Sequence, residues 1–145
     1  MNLLFVQKEG VLLYKTLVSS ETSRNILRFY KPKETEYGII IENATLGSAL
    51  SLVSELKWYI RRYVSEILYE ISPELYCSHK FALEIYERDI KLGETWDFSK
   101  LIGIKENIIS DEIWMESHSS KEDYPDFVDS NDIVFEVWCS ESEKE

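Results

Sequence analysis

The sequence predicts an α+β fold in which a mainly antiparallel β-sheet packs against one long amphipathic helix, about residues 46–71. Three observations carry that expectation. Between Leu46 and Ile71 apolar residues recur at steps of three and four, the period of one helix face. β-Branched and aromatic runs bounded by turn residues lie on both sides of that stretch. Finally, 44% hydrophobic residues with 13% aromatics, in a chain of 145, are enough for one domain with its own core.

Taken in order, residues 3–6 and 11–18 are short apolar runs around Gln7-Lys8-Glu9-Gly10 and read as a hairpin, with glycine supplying the positive φ of its loop. Residues 25–31 and 37–42 repeat the arrangement around a 32–36 loop, so the first third reads as a four-stranded antiparallel meander. The 46–71 helix follows. Asn43 or Thr45 can cap its start by accepting a bond from an unpaired N–H, and Ser72-Pro73 stops it, because proline disfavours helical dihedrals in the residue before it. At about 1.5 Å per residue such a helix spans roughly 40 Å, and a stripe of that length must be covered by the strands around it. Ser72-Pro73-Glu74-Leu75 looks like a second helix start, giving one short turn before an alternating strand over about 80–90 carried by Phe81, Leu83 and Ile85. Residues 91–109 read as a loop with one or two turns, 113–117 as a short strand, and 118–131 as a polar, acidic loop. Ile133, Phe135, Val137 and Cys139 alternate with Val134, Glu136, Trp138 and Ser140 as the last strand, before a frayed tail over 140–145.

The formal charge of −11 is unevenly placed. Residues 1–100 carry 13 Lys and Arg against 14 Asp and Glu, whereas residues 101–145, the acidic C-terminal third, carry 3 against 13. Such a field repels phosphate backbones and anionic lipid and draws in basic surfaces. Nucleic acid and membranes are therefore poor candidates as direct ligands, and a basic protein is the partner to expect. Residues 1–6 carry no basic residue ahead of their apolar run, and no run approaches the roughly 18 residues of a membrane span. These features, with the two unframed cysteines Cys77 and Cys139, lead us to expect a cytoplasmic protein with free thiols.

Chemistry-bearing motifs are sparse. Cys77, His79, His118 and Cys139 are the only cysteines and histidines, and their spacing matches no zinc knuckle and no nucleophile with an orienting partner. No metal, cofactor or catalytic group is expected. Carboxylates such as Glu112 and Glu116 are too many for any one to be picked out as a general acid. Asp129-Ser130-Asn131-Asp132 shares part of a calcium-loop pattern but lacks its glycine and closing glutamate. The five glycines are isolated, so no phosphate-cradling loop is present.

What remains is surface. On a helical wheel Trp58, Arg62 and Tyr69 fall together opposite the apolar stripe. They are either covered by the 91–109 segment, or internally stacked with Trp58 under Arg62, or a protein-binding surface, since Trp, Tyr and Arg dominate interface hot spots. The acidic 111–132 region adds Trp114, Tyr124 and Phe127 in turn-rich sequence. Carboxylates that steer and aromatics that anchor are the parts a binder of a basic protein needs. The expected partner-binding set is accordingly Glu116, Asp123, Tyr124, Asp126, Phe127, Asp129 and Asp132, together with the helical trio. The function expected is a non-enzymatic acidic inhibitor, similar in size and charge to toxin-immunity proteins, that neutralises a basic partner such as a bacterial nuclease by laying carboxylates where phosphates would go. Two alternatives stand beside it: a small enzyme or ligand-binding protein with a pocket between helix and sheet, and a structural subunit of a larger complex.

Overall fold

The first strand, β1 (Asn2–Gln7), has no solvent face: Leu3, Leu4, Phe5 and Val6 are all at most 1% exposed, so both sides of the strand are covered. Each of these side chains contributes about 1.5–3 kcal/mol by leaving water. The computed structural model describes residues 1–87 and 96–144, and the chain divides into two units, Met1–Ile67 and Leu68–Glu145.

In the first unit β1 leads into two short helices, α1 (Leu13–Ser19) and α2 (Glu21–Leu27), then β2 (Lys33–Glu34) and β3 (Gly38–Glu42). β3 lies antiparallel between β1 and β2, with Leu3 opposite Ile41 and Phe5 opposite Ile39. Gly38 is required here. Its φ is +156°, and a β-carbon would lie on the Phe5 carbonyl of the neighbouring strand. The buried Gln7 ties the pieces together: its Oε1 accepts from the Leu13 amide at 3.2 Å and its Nε2 donates to the Glu36 carbonyl at 3.1 Å. Two further helices, α3 (Leu46–Glu55) and α4 (Lys57–Tyr63), end the unit. α3 opens on a capping box in which Thr45 Oγ1 accepts from the Ser48 amide at 3.0 Å, as its sequence position suggests.

β4 (Val64–Ser72) carries the chain into the second unit, which continues with β5 (Leu75–Cys77), α5 (His79–Tyr86), β6 (Ser99–Lys105), β7 (Ile108–Trp114), α6 (Pro125–Asp129) and β8 (Ile133–Trp138). The strand order is β4-β5-β8-β6-β7, antiparallel except for the parallel β5–β8 pair. With the first unit's three strands, the described residues hold eight in mixed pairing.

The fold is α+β, but the single long helix is not there. The 46–71 stretch is α3, a break at Leu56 (φ −94°, ψ 10°), α4, and then strand β4. Val64, Ile67, Tyr69 and Ile71 are β-branched or aromatic, and Leu68 and Tyr69 are both fully buried, so β4 is covered on both faces. A strand buried on both faces loses its alternation, and its apolar residues fell by chance at helical steps. The meander is overturned for the converse reason. Residues 13–18 fall on α1, and 25–27 end α2 with a turn over 28–30; Leu13 and Leu17, then Ser23 and Leu27, are buried four residues apart. The strand expected over 80–90 is α5 as far as Tyr86, capped by Ser78 Oγ accepting from the Phe81 amide at 3.2 Å, while 88–90 lie outside the described residues. The helix start at Ser72-Pro73-Glu74 is a β-turn between β4 and β5, with positive φ at Glu74. Of the expected 91–109 loop, 91–95 lie outside the described residues and the rest holds β6 and the start of β7. The strand expected over 113–117 is β7, which ends at Trp114; the acidic loop contains α6 and a 3₁₀ turn at Lys121–Asp123; and a second 3₁₀ turn, Glu141–Lys144, replaces the frayed tail. The last strand lies where the alternation places it.

Candidate functional site

The division into units sharpens the charge asymmetry. Met1–Ile67 carries nine Lys and Arg against seven Asp and Glu, a net of +2, and Leu68–Glu145 seven against twenty, a net of −13. In the second unit the outer strand β7 carries Asp111 and Glu112 and, among the described residues, pairs with β6 and no other strand. A two-residue turn with Glu106 at φ 55° and Asn107 at φ 72° joins the two strands. Ser110, Asp111 and Glu112 in the middle of β7 are exposed. The outer side of this strand offers backbone donors and acceptors to another chain, with carboxylates along it.

Beside β7 lies an open cleft of about 420 Å³ between the strand and α6. Asp111 and Asp126 stand at its sides with Lys105, and Phe127 and Asn131 line it. Asn131 organises the cleft: its Oδ1 accepts a short bond from Ser110 Oγ, and its Nδ2 donates to the Phe127 carbonyl at 2.9 Å. Gly103 of β6 makes room for it, because a β-carbon there would overlap the Asn131 amide. Asp111 accepts from the Glu112 amide at 2.8 Å, whereas no side-chain bond of Asp126 is found among the described residues. Such a cleft can take a lysine or arginine side chain, its charge against the carboxylates and its stem against Phe127.

The expected binding residues divide into two kinds. Asp126 and Phe127 face the cleft, and Asp129 is exposed on the same short helix. Asp123 and Asp132 instead hold turns: Asp123 Oδ2 accepts from the Ser120 amide at 2.9 Å, and Asp132 Oδ2 from the Glu106 amide at 3.2 Å. Tyr124 and Glu116 meet through the Glu116 amide, which donates to the Tyr124 hydroxyl at 2.9 Å. The helical trio is dispersed. Trp58 and Arg62 lie on α4, with the guanidinium 3.7 Å from the indole centroid and Nη1 donating to the Trp58 carbonyl at 3.1 Å, the internal stack weighed above. Tyr69 lies fully buried on strand β4 and so is not part of an exposed helix face. Reading residues 64–71 as helix put it there. Asp111, Asn131 and Gly103 escaped sequence reasoning. Only pairing β6 with β7 brings them together, although an isolated glycine inside a strand is a signal of close approach.

The second unit also contains a buried polar group. The Tyr69 hydroxyl lies 2.7 Å from His79 Nδ1, with the rings stacked. Burial raises the Tyr69 phenol above its ordinary range and lowers the His79 imidazole, the latter opposed by Glu143. Glu143 accepts from Ser78 Oγ at 2.7 Å and from the Ser140 amide at 2.5 Å. Burial pushes the Cys77 thiol up to about 12, which leaves it protonated and unsuited to nucleophilic attack at neutral pH. Both cysteines are free and buried, and His118 lies at the surface 3.7 Å from Asp97. Among the described residues no group of three or more metal-ligating side chains is placed to hold an ion, and no helix is long and apolar enough to cross a membrane.

Fold and site together define a two-unit α+β protein whose second unit presents an acidic outer strand and cleft. The chain belongs to a family of unknown function (DUF5804), which it matches over residues 1–104. That match ends inside β6, so β7, α6 and the acidic cleft follow it. Comparison with curated proteins and with solved structures gave no match.

Proposed function

We propose that this protein works by binding rather than catalysis, and that its second unit captures a basic protein in the cytoplasm. The observation that carries the reading is the cleft beside β7, where Asp111 and Asp126 flank Phe127 next to a strand whose outer side has no strand partner among the described residues. A basic segment that lies along β7 gains main-chain hydrogen bonds, while the carboxylates choose its charge and the cleft takes one of its side chains. A net charge of −13 on that unit steers such a partner in and disfavours both nucleic acid and a second acidic copy. Covering a basic surface in this way is how an immunity-type inhibitor would block a nuclease, and that is the activity we assign.

The test uses the doubly amidated variant Asp111→Asn/Asp126→Asn, which leaves the turn-holding Asp123 and Asp132 intact. Wild type and variant are immobilised, a lysate of the source cell is passed over both, and the retained basic protein is purified for kinetics. Association with the wild type is expected to slow about ten-fold between low and high salt, and the variant to associate more slowly at low salt. Equal rates for the two proteins would overturn the assignment.

A further inference from the structure

The first unit contains a cleft of the opposite character. It is about 340 Å³, lies between α1 and α2 and the turn after them, and is lined by three cations, Arg24, Arg28 and Lys31. Arg24 and Arg28 are four residues apart on the same side of α2 and its C-cap, so both side chains line the cleft, the Arg28 guanidinium lying 4.5 Å from the centroid of the exposed Phe29 ring. Lys31 follows in the left-handed conformation, at φ 49°. Among the described residues no carboxylate pairs with any of the three, and no acidic residue lines the cleft. In a chain with 27 acidic residues, three like charges gathered around one concavity without a counter-ion are the unexpected arrangement. Opposite them α1 contributes Tyr14 and Val18, while the buried Leu27 lies between the two arginines on α2 and Pro32 follows Lys31.

Guanidinium and ammonium groups on one side and a tyrosine with an aliphatic wall on the other match a molecule that is polyanionic at one end and planar at the other. The volume is at the lower end for small-molecule pockets, about 300–1,000 Å³, which suits a mononucleotide and not a polymer. We infer that this cleft binds a nucleoside phosphate, with Arg24, Arg28 and Lys31 on the phosphates and Tyr14 against the base. No glycine-rich loop is involved; side chains alone supply the charge.

Calorimetric titration of the whole chain with ADP, pyrophosphate and adenosine at low salt tests this. ADP is expected to bind more tightly than pyrophosphate, and adenosine not measurably. Arg24→Gln/Arg28→Gln is expected to weaken ADP at least ten-fold, and Tyr14→Ala to weaken ADP while leaving pyrophosphate unchanged. Lys31→Gly guards against misfolding, because glycine suits the positive φ while the charge is lost: its melting temperature should hold or rise as ADP affinity falls. Absence of ADP binding at millimolar concentration, binding unaffected by the arginine substitutions, or an oligonucleotide that binds more tightly than ADP would each overturn the inference.

Discussion

Glu136 is a half-buried carboxylate on β8 whose position opposes its own ionisation. Burial raises its proton affinity, the Lys121 amide donating to it at 3.1 Å offsets part of that, and neighbouring Glu122 adds to the rise. Its folded pKa therefore lies above that of the unfolded chain, near the ordinary value of about 4.3. Below that value both states are protonated and the side chain costs nothing; the cost sets in as pH rises past it and is complete above the raised folded value. Glu136→Gln keeps an acceptor for the Lys121 amide, so its melting temperature should equal the parent's near pH 3.5, roughly a unit below that ordinary value, and exceed it at pH 7. A fall at pH 7 would show that the charge itself is needed. Cys77 gives a second prediction. With its thiol held protonated and both cysteines buried, a thiol reagent such as DTNB should react at neutral pH only as fast as the protein opens, and at once in denaturant. Immediate native-state labelling of both would contradict this. At this scale local composition marked Asp126 and Phe127, and the fold places both in the lining of the acidic cleft. Composition could not separate them from Asp123 and Asp132, whose carboxylates are consumed by backbone amides that only the folded turns present.

Elements were less legible than residues, and the reason is burial on two sides. β1 has no polar face to alternate with and β4 buries the adjacent Leu68 and Tyr69 on opposite faces, whereas α1, α2 and α5 are only seven or eight residues long, too short for a 3.6-residue period to outvote their β-branched members. The cap at Thr45 fared better, because it reports a single local geometry. Thr45 began α3 as its position suggested, and Thr45→Ala should lower stability by about 1 kcal/mol in denaturant titration. Gly38 is a harsher case. Any β-carbon there meets the Phe5 carbonyl, and the two strands cannot separate without losing the ladder that pairs Asn2–Val6 with Gly38–Glu42. Gly38→Ala should therefore cost about 3 kcal/mol or more, well beyond the roughly 0.5 kcal/mol of an ordinary surface change. An unchanged unfolding midpoint would mean that β3 does not lie against β1 in this register.

For the whole molecule the decisive quantity is charge, and here the chain's own divisions mattered. Cutting the sequence at residue 100 found the acidic third but left the remainder looking neutral; cutting it where the fold divides gives units of +2 and −13, and exposes a cationic cleft within the first. Twenty carboxylates against seven cations in a unit of this size repel one another at neutral pH. Self-repulsion of this kind is long-ranged and therefore sensitive to screening, whereas hydrophobic burial is not. Raising salt from about 0.01 M to about 0.15 M shortens the Debye length from about 30 Å to about 8 Å, and should raise the melting temperature at pH 7 by several degrees. The same salt step near the isoelectric point of about 4.7 should do little, because carboxylate protonation has already removed the excess. If salt stabilised the protein equally at both pH values, the effect would belong to solvent exclusion from the surface and not to charge. If it destabilised the protein at pH 7, attractive pairs would outweigh the repulsion, and the acidic edge would be compensated internally and not held ready for a basic partner.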